Sequence, residues 1–280
     1  MIIIDGDYLI FKGACAAQTR FYRYYQDDGQ TVMFDYKKEA DAYIKNTGIK
    51  GQLKRIIKNK KAAFAMYYTK LAIQKIYERF SGEDIRLYVS SDKQDNHRYR
   101  IAKTIGYKHD RPAKPKHYEA CRRYLVEHWD AKEVTKGETD DRVAIELTKY
   151  RKYDALLVHV DKDLNQVAGR HYNPDKDIEY EITELEGRRH LYTQIVIGDT
   201  SDGIPGLKYW CPTRTCGPAT IEALLSFYET EAEIQMAIRT HILRLSDMTD
   251  LEYETRFKEM YDLLYLARTN EELKEIRGRV

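Results

Sequence analysis

An α/β fold is expected: a central, mostly parallel sheet flanked by helices, then a C-terminal helical region. Two observations carry this. Apolar runs at residues 2–4, 85–89, 155–160 and 194–197 alternate with stretches of helical periodicity, and from Ala219 onward the pattern is helical. Each run also closes within a few residues on an aspartate, and ligands of parallel sheets bind where strands end.

In chain order, the run at 2–4 ends at Asp5, and residues 9–25 are aromatic-rich and fit either period. Residues 40–80 read as mostly helical, broken at Gly48 and Gly51, with Tyr67, Leu71, Ile73, Ile76, Tyr77 and Phe80 at helical spacing. A strand is predicted over 85–89 from its β-formers, followed by a turn at Ser90-Ser91-Asp92. Helices follow at 117–128, after Pro112 and Pro115, and at 138–150. The buried strand at 155–160 ends at Asp161, residues 178–182 alternate as an exposed strand, and the run at 194–197 closes on Gly198-Asp199. Two regions are expected: residues 1–200 as the core and 201–280 as the C-terminal region.

A chain of 280 residues, 42% hydrophobic and 33% charged with 15 Gly and 6 Pro, can bury a sizeable core, which excludes collagen-like and disordered classes. No stretch is long and apolar enough for a membrane span, and Asp5 comes too early for a signal peptide, so no membrane partner is expected. Four cysteines (Cys15, Cys121, Cys211, Cys216) are too few for a disulfide framework and fit a reducing cytoplasm. Cys211 and Cys216 lack a second ligand pair for a structural zinc. The formal net charge of +2 conceals segregation. Residues 45–61 hold seven Lys/Arg and no acid, and residues 98–123 hold nine against Asp110 and Glu119. Residues 229–280 reverse this with 12 acids against 8 bases, so a polyanion-facing surface and a separate acidic one are expected.

The acids are the chemical signal. Asp5, Asp92, Asp161 with Asp163, and Asp199 with Asp202 all follow apolar runs, and Glu138-Thr139-Asp140-Asp141 opens a helix. Singly, each is an ordinary turn former or N-cap. Together, on one edge of a parallel sheet, they would repel one another unless a cation sat among them. Hard divalent ions with oxygen ligands, Mg²⁺ or Mn²⁺, suit such a donor set.

The ordered set Ile4-Asp5-Gly6, Asp92 with Arg98-Tyr99-Arg100, Tyr107-Lys108-His109-Asp110-Arg111, Gly137-Glu138-Thr139-Asp140-Asp141, Asp161-Lys162-Asp163-Leu164 and Gly198-Asp199-Thr200-Ser201-Asp202-Gly203-Ile204-Pro205-Gly206 resembles the flap endonuclease/5′-3′ exonuclease family. That family includes the polymerase I-type 5′ nuclease domain and the stand-alone bacteriophage 5′ exonucleases. The likeness runs from Asp5 to about Leu225. It implies a PIN-like 5′ nuclease core with an arch at about 112–136, and a C-terminal helix–hairpin–helix with a helical tail. It also implies a divalent-metal-dependent 5′ nuclease that leaves 5′-phosphates and serves replication, recombination or DNA degradation.

By the same resemblance, Asp5, Asp92, Glu138, Asp140, Asp141, Asp161, Asp163, Asp199 and Asp202 would hold two Mg²⁺ or Mn²⁺ ions. Lys108 and Arg111, with Arg100 as companion, would neutralise the scissile phosphate. Tyr107 would stack a terminal base. Lys114, Lys116, Arg122 and Arg123 would line a passage for single-stranded DNA. Gly217-Pro218 would open a helix gripping a duplex phosphate, with a K⁺ ion at the helix–hairpin–helix. The stretch between Asp5 and Asp92 is longer than in compact relatives, and Lys54, Arg55 and Lys58 are expected on an additional DNA-contacting helix pair. Further departures are a short arch, extra hairpin residues at 208–215, and Ala219 where relatives often carry lysine. DNA with a 5′ end or flap is the expected partner, an RNA–DNA hybrid a further one. The chain is expected to be a monomer, in the host cytoplasm if phage-encoded.

Ile4-Asp5-Gly6-Asp7 with Gly198-Asp199-Thr200-Ser201-Asp202 also looks like a haloacid-dehalogenase-type phosphatase, with Asp5 the nucleophile and Asp7 the general acid. That reading leaves Glu138, Asp140, Asp141, Asp161 and Asp163 without a task. A catalytically silent DNA-binding relative would lack some of the acids, and a compact PIN-type RNase would lack the helix–hairpin–helix.

Overall fold

The structure, a computed structural model, describes residues 1–211 and 216–278. The chain begins with β1 (Ile2–Asp5) and α1 (Asp7–Ala16), then β2 (Gln18–Gln26), β3 (Thr31–Phe34), α2 (Lys37–Thr47), β4 (Gly51–Asn59) and α3 (Ala62–Arg79). Next come β5 (Ile85–Asp95), the single turn α4 (Arg98–Ile101), α5 (Tyr118–Trp129), β6 (Lys132–Lys136), α6 (Thr139–Tyr150) and β7 (Leu156–Val158). A 3₁₀ turn at Lys162–Gln166 leads to β8 (Gly169–Asn173), β9 (Ile178–Ile182) and α7 (Glu184–Ile197). A further 3₁₀ turn (Leu207–Trp210) precedes α8 (Pro218–Leu225), α9 (Glu231–Leu245), α10 (Asp250–Leu264) and α11 (Asn270–Gly278).

These elements sort into two units. One comprises Met1–Tyr8, Arg79–Ala113 and His128–Val280, so the C-terminal helices group with the α/β core. It holds the expected mostly parallel sheet, in the order β6-β5-β1-β7-β8-β9, with only β8–β9 antiparallel. The near-continuous apolar composition of Ile2, Ile3, Ile4, Leu156, Leu157 and Val158 is that of strands buried on both faces. The inner face of α6 (Val143, Ala144, Leu147) packs with Ile3, Leu157, Leu164 and Val167. The tail helices close a second cluster around Tyr192, Ile195, Ile221, Ile238 and Leu263.

The other unit, Leu9–Glu78 with Lys114–Glu127, contains an antiparallel sheet in the order β3-β2-β4 and helices α2, α3 and α5. Inside it, Thr69 Oγ1 lies 1.9 Å from where a Cβ on Gly13 would stand, so α1 and α3 meet through that glycine.

Three expectations change. Residues 51–59 form β4 rather than helix, pairing with β2 from Gln26↔Gly51 to Gln18↔Asn59. The run at 194–197 is the last turn of α7, whose N-terminus is set by a Thr183–Glu186 capping box. Four consecutive apolar residues suit either element, and the cap upstream decides in favour of helix. The turn expected at 90–92 is strand, since β5 runs on to Asp95 with a register shift against β6 between Ser90 and Asp95. The segment assigned to an arch, 112–136, supplies α5 and the core strand β6. Strand β8 lay hidden in Gly-Arg-His-Tyr-Asn, which has little β-propensity of its own. Of the hairpin residues 208–215, those from 212 to 215 lie outside the described residues.

Candidate active site

Parallel strands all end on the same edge, and the acids gather there. Asp5 is the last residue of β1 and is buried. Gly6 follows because the chain turns against β5. Gly6 N–H donates to Tyr88 O at 2.7 Å, and an added Cβ would stand 2.6 Å from that oxygen. Asp7 then accepts from Ser90 N–H (2.9 Å), Ser90 Oγ (2.5 Å) and Thr139 Oγ1 (3.1 Å). These bonds tie the start of α1 to β5 and α6.

The acids around α6 have separate tasks. Glu138 is the N-cap residue, and its backbone N–H donates to Asp141 at 3.0 Å. Arg98 is 2% exposed and donates both terminal nitrogens to Asp141, at 2.7 and 2.9 Å. It also donates to Leu263 O (2.9 Å) and Tyr265 O (3.0 Å) and lies 3.3 Å from Glu138. Burial opposes ionisation of Asp141, but Arg98 holds its carboxyl below the usual range. Asp141, read from the sequence as a metal ligand, is thus fully engaged in a buried bidentate pair. Asp140 faces the other way: burial, then Asp161 and Asp5, push its carboxyl well above the usual range.

Asp161 caps the 3₁₀ turn after β7 and accepts from Asp163 N–H at 2.9 Å. Burial raises its pKa, with Asp202 and Asp199 adding to the effect. Asp163 accepts from Gln194 Nε2 at 2.6 Å and is pushed up to about 8, first by burial and then by Asp161 and Asp199. Asp5 is likewise raised well above the usual range, by burial and then Asp7 and Asp161. Asp199 and Asp202 ride on a closed loop in which Asp199 and Ile204 exchange backbone hydrogen bonds of 2.8 and 2.7 Å. Glycine is needed at both ends: Gly198 (φ 71°) and Gly206 (φ 69°) approach so closely that a Cβ on Gly206 would stand 2.2 Å from Gly198 N. Asp199 is buried, yet two bonds from Ser201 (2.7 and 2.5 Å) and Lys162 at 3.4 Å hold its pKa down.

The basic groups cluster around Glu138 and Asp202. Lys108 sits at φ 56°, a left-handed conformation costly for a side-chain-bearing residue, and its N–H donates to Asp202 O at 2.7 Å. Its ammonium pairs with Glu138 and lies 3.5 Å from Asp202. Burial works against that charge, but the two carboxylates outweigh it and raise the lysine pKa. Arg111 reaches 4.0 Å from Asp202. Tyr107 is buried, and its hydroxyl oxygen lies 2.8 Å from a carboxylate oxygen of both Glu138 and Asp202, with one proton to donate between them. Tyr107 therefore does not offer a face for base stacking; Tyr99, whose ring meets it edge-on at 5.4 Å, is 60% exposed.

Asp5, Asp140, Asp161 and Asp163 are thus an all-oxygen donor set raised by burial, each also by a neighbouring carboxylate. A divalent cation would relieve that repulsion, so the residues fit such an ion. Glu138, Asp199 and Asp202 are already matched by Lys108, Lys162 and Arg111. Among the described residues, no three His, Cys, Asp or Glu side chains are drawn into a ready ligand geometry, as like charges would dictate. Asp92 is exposed on β5, with Ser91 Oγ at 3.4 Å, because the strand runs past the predicted turn. Arg100 is exposed and pairs with Asp95 at 2.7 Å, apart from Lys108 and Arg111.

Of the residues expected to bind DNA, Lys54 and Lys58 share one face of β4, and Arg55 projects from the other. Arg122 is buried and bonded to Glu119 at 2.8 Å, so it lines no passage, whereas Arg123 and Lys116 are exposed. Lys114 lies 4.1 Å over the Tyr118 ring. Gly217 is the N-cap of α8, with Pro218 at the first helical position. Sequence reasoning missed the structural tasks of Arg98, Asp7, Lys162 and Gln194. No local pattern marks these tasks: Arg98, for one, opens Arg98-Tyr99-Arg100-Ile101 beside a second arginine.

No family model matches the sequence, and no curated protein matches it. Solved structures do. The chain is similar to a bacteriophage T5 5′-exonuclease structure with bound divalent metal ions (zinc), at 15% identity and TM-score 0.57, over 100% of this chain and 97% of that one. It is similar to a bacteriophage T5 flap endonuclease variant in a pseudo-enzyme-product complex with DNA and metal ions, at 13% identity and TM-score 0.55, over 99% and 96%. A point mutant of the T5 5′-exonuclease matches at 12% identity and TM-score 0.51, over 99% and 96%. From end to end, the chain has the fold of the T5 5′-exonuclease.

Proposed function

We propose that the chain is a divalent-metal-dependent 5′ nuclease that hydrolyses DNA phosphodiester bonds, acting as a 5′-3′ exonuclease, a flap endonuclease or both. The observation that carries this is the set Asp5, Asp140, Asp161 and Asp163, brought from separate points of the chain to the strand ends and pushed towards neutrality by burial and mutual repulsion. Beside it stands a basic pair, Lys108 and Arg111, on a carboxylate (Asp202). The shared fold with a 5′-exonuclease that binds divalent ions and DNA supports the reading.

Asp5, Asp140, Asp161 and Asp163 would hold two Mg²⁺ or Mn²⁺ ions, with Glu138, Asp199 and Asp202 as further donors. When bound, such ions polarise the scissile phosphate and lower the pKa of an attacking water. The remaining work falls to the chain. Lys108, fixed by its strained backbone and by Glu138, presents an ammonium where phosphate charge builds up. Arg111 adds a second cation with room to move, being exposed. Tyr107 keeps Glu138 and Asp202 together from beneath. Gln194 orients Asp163. Arg98 holds the N-terminus of α6, and so Glu138 and Asp140, by gripping Asp141.

The proposal extends to DNA with a 5′ end or flap as substrate and to an RNA–DNA hybrid as a second one. It extends to K⁺ at Gly217-Pro218, to a monomeric enzyme in the cytoplasm, and to work in replication, recombination or DNA degradation. Incubation of 5′-labelled blunt duplex and 5′-flap DNA with Mg²⁺ is expected to release labelled 5′-phosphate products, whose lengths separate the two modes. Absence of cleavage in both Mg²⁺ and Mn²⁺ refutes the nuclease reading.

A further inference from the structure

The sheet β3-β2-β4 has two unlike faces. Its antiparallel register is regular, so side chains alternate strictly. One face carries Tyr24 and Phe34, which meet Tyr43 of α2 at 6.4 and 5.3 Å, while Gln26 donates to the Tyr43 hydroxyl at 3.0 Å. That face is covered by a helix. The opposite face carries Arg23, Tyr25, Met33, Lys54 and Lys58, with buried Phe21 and its partner Ile56 in the row between Lys54 and Lys58.

No side chain that the register places on this second face is acidic. Its cations lie over its rings: Arg23 and Lys54 at 5.9 and 5.4 Å from the Tyr25 centroid, and Lys58 at 5.2 Å from Phe21. Lys54 and Lys58 are exposed, as is Met33 beside Arg23. A sheet that exists only to close a core would place polar groups of both signs on its wet face. Here every charge is positive and is interleaved with aromatic and thioether groups, the composition on which bases stack while phosphates are neutralised.

We propose that this open face of the β3-β2-β4 sheet is a docking surface for an unpaired polynucleotide strand. Tyr25 supplies the stacking platform, and Arg23, Lys54 and Lys58 take the phosphates. Lys54 and Lys58 are four residues apart on β4, about 13 Å along the strand, so the surface tracks several nucleotides. The proposal deepens the nuclease reading, and rests on it, by naming the form of nucleic acid that this sheet binds. An open sheet face suits a splayed strand, whereas reading a duplex groove requires a protruding element.

The test uses the full chain in EDTA and a fluorescein-labelled oligothymidylate long enough to span the face (about 12 nucleotides), with a blunt duplex as comparison, by fluorescence anisotropy. Lys54→Ala/Lys58→Ala is expected to weaken oligothymidylate binding about tenfold or more and to flatten the log–log salt slope by about 1.4, the share of two single-strand phosphates. Tyr25→Leu, which keeps bulk but removes the ring, is expected to cost about fivefold or more. Arg55→Ala, on the other face of the same strand, is expected to stay within about twofold. Unchanged binding by the lysine pair and Tyr25→Leu, equal loss in Arg55→Ala, or equal loss on duplex overturns the proposal. Far-UV circular dichroism checks that each variant folds. Wild-type cleavage in Mg²⁺ is scored separately: binding without cleavage sinks the nuclease reading alone, and cleavage with insensitive binding sinks this surface alone.

Discussion

Replacing Asp141 separates a structural carboxylate from a metal ligand. Arg98 and Asp141 are 2% and 1% exposed and share bonds of 2.7 and 2.9 Å, and the remaining donor capacity of Arg98 goes to Leu263 O and Tyr265 O. Asp141→Ala leaves a buried guanidinium with carbonyls and the more distant Glu138. Removing one partner of a buried pair costs about 3–5 kcal/mol, because the surviving charge stays desolvated. For a chain of this size that is a fall in Tm of about 5–9 °C. Urea unfolding followed by far-UV circular dichroism, with a thermal scan alongside, reads it directly. The double variant Arg98→Met/Asp141→Leu removes both charges and is expected to recover most of the loss, since apolar replacement of a buried pair is often neutral. If Asp141→Ala unfolds within about 0.5 kcal/mol of the parent, Asp141 is not a structural partner and belongs with the metal-binding acids. The pair also implies a pH dependence. The carboxyl titrates below its ordinary 3.8 in the folded state, so its contribution is complete above that value and is lost as pH falls below it.

Asp163→Asn is expected to leave DNA binding within a few-fold while abolishing cleavage in Mg²⁺, and equal loss of both in gel-shift and cleavage assays refutes a ligand role. Lys108→Ala should lower kcat by about 100-fold or more with little change in KM, as befits a group acting on transition-state charge, and a purely KM effect reassigns it to ground-state binding. Millimolar Mg²⁺ or Mn²⁺ should raise Tm by several degrees, about 2.7 kcal/mol of stabilisation at about 100-fold excess over Kd, and this shift should vanish in Asp5→Asn; no shift in the parent refutes the site. His97 is buried with its folded pKa lowered to about 4, by desolvation and then by Arg98, so stability is expected to be full above its ordinary 6.5 and to fall as pH drops towards 4. His97→Asn should flatten the urea midpoint between those pH values, and an unaltered profile refutes the assignment.

Much of the site was legible because its chemistry sits in contiguous residues. Asp5-Gly6, Glu138 to Asp141, Asp161 to Asp163 and Gly198 to Gly206 each carry their own local geometry, as the closed Asp199–Ile204 loop illustrates. Element type was less legible wherever composition suits two periods. Gly51–Asn59 mixes isoleucines with cations that read equally as one side of a helix, and only pairing with β2 resolves it. Gln194–Ile197 is helix because a cap eleven residues upstream sets the register.

The α/β class, the order of the acids and the segregation of charge can all be read without coordinates, since they depend on composition and on spacing along the chain. How the acids divide is a matter of packing. Arg98 and Asp141 are far apart in sequence and meet only because α4 is held against α10 and α6 against β1 and β5, which turns a candidate ligand into half of a buried pair. Tyr107 went from exposed ring to buried clamp for the same reason, and Lys54 parted from Arg55 because a strand sends neighbouring side chains to opposite faces. Burial and through-space charge arise only when distant segments pack, so no local pattern could carry them.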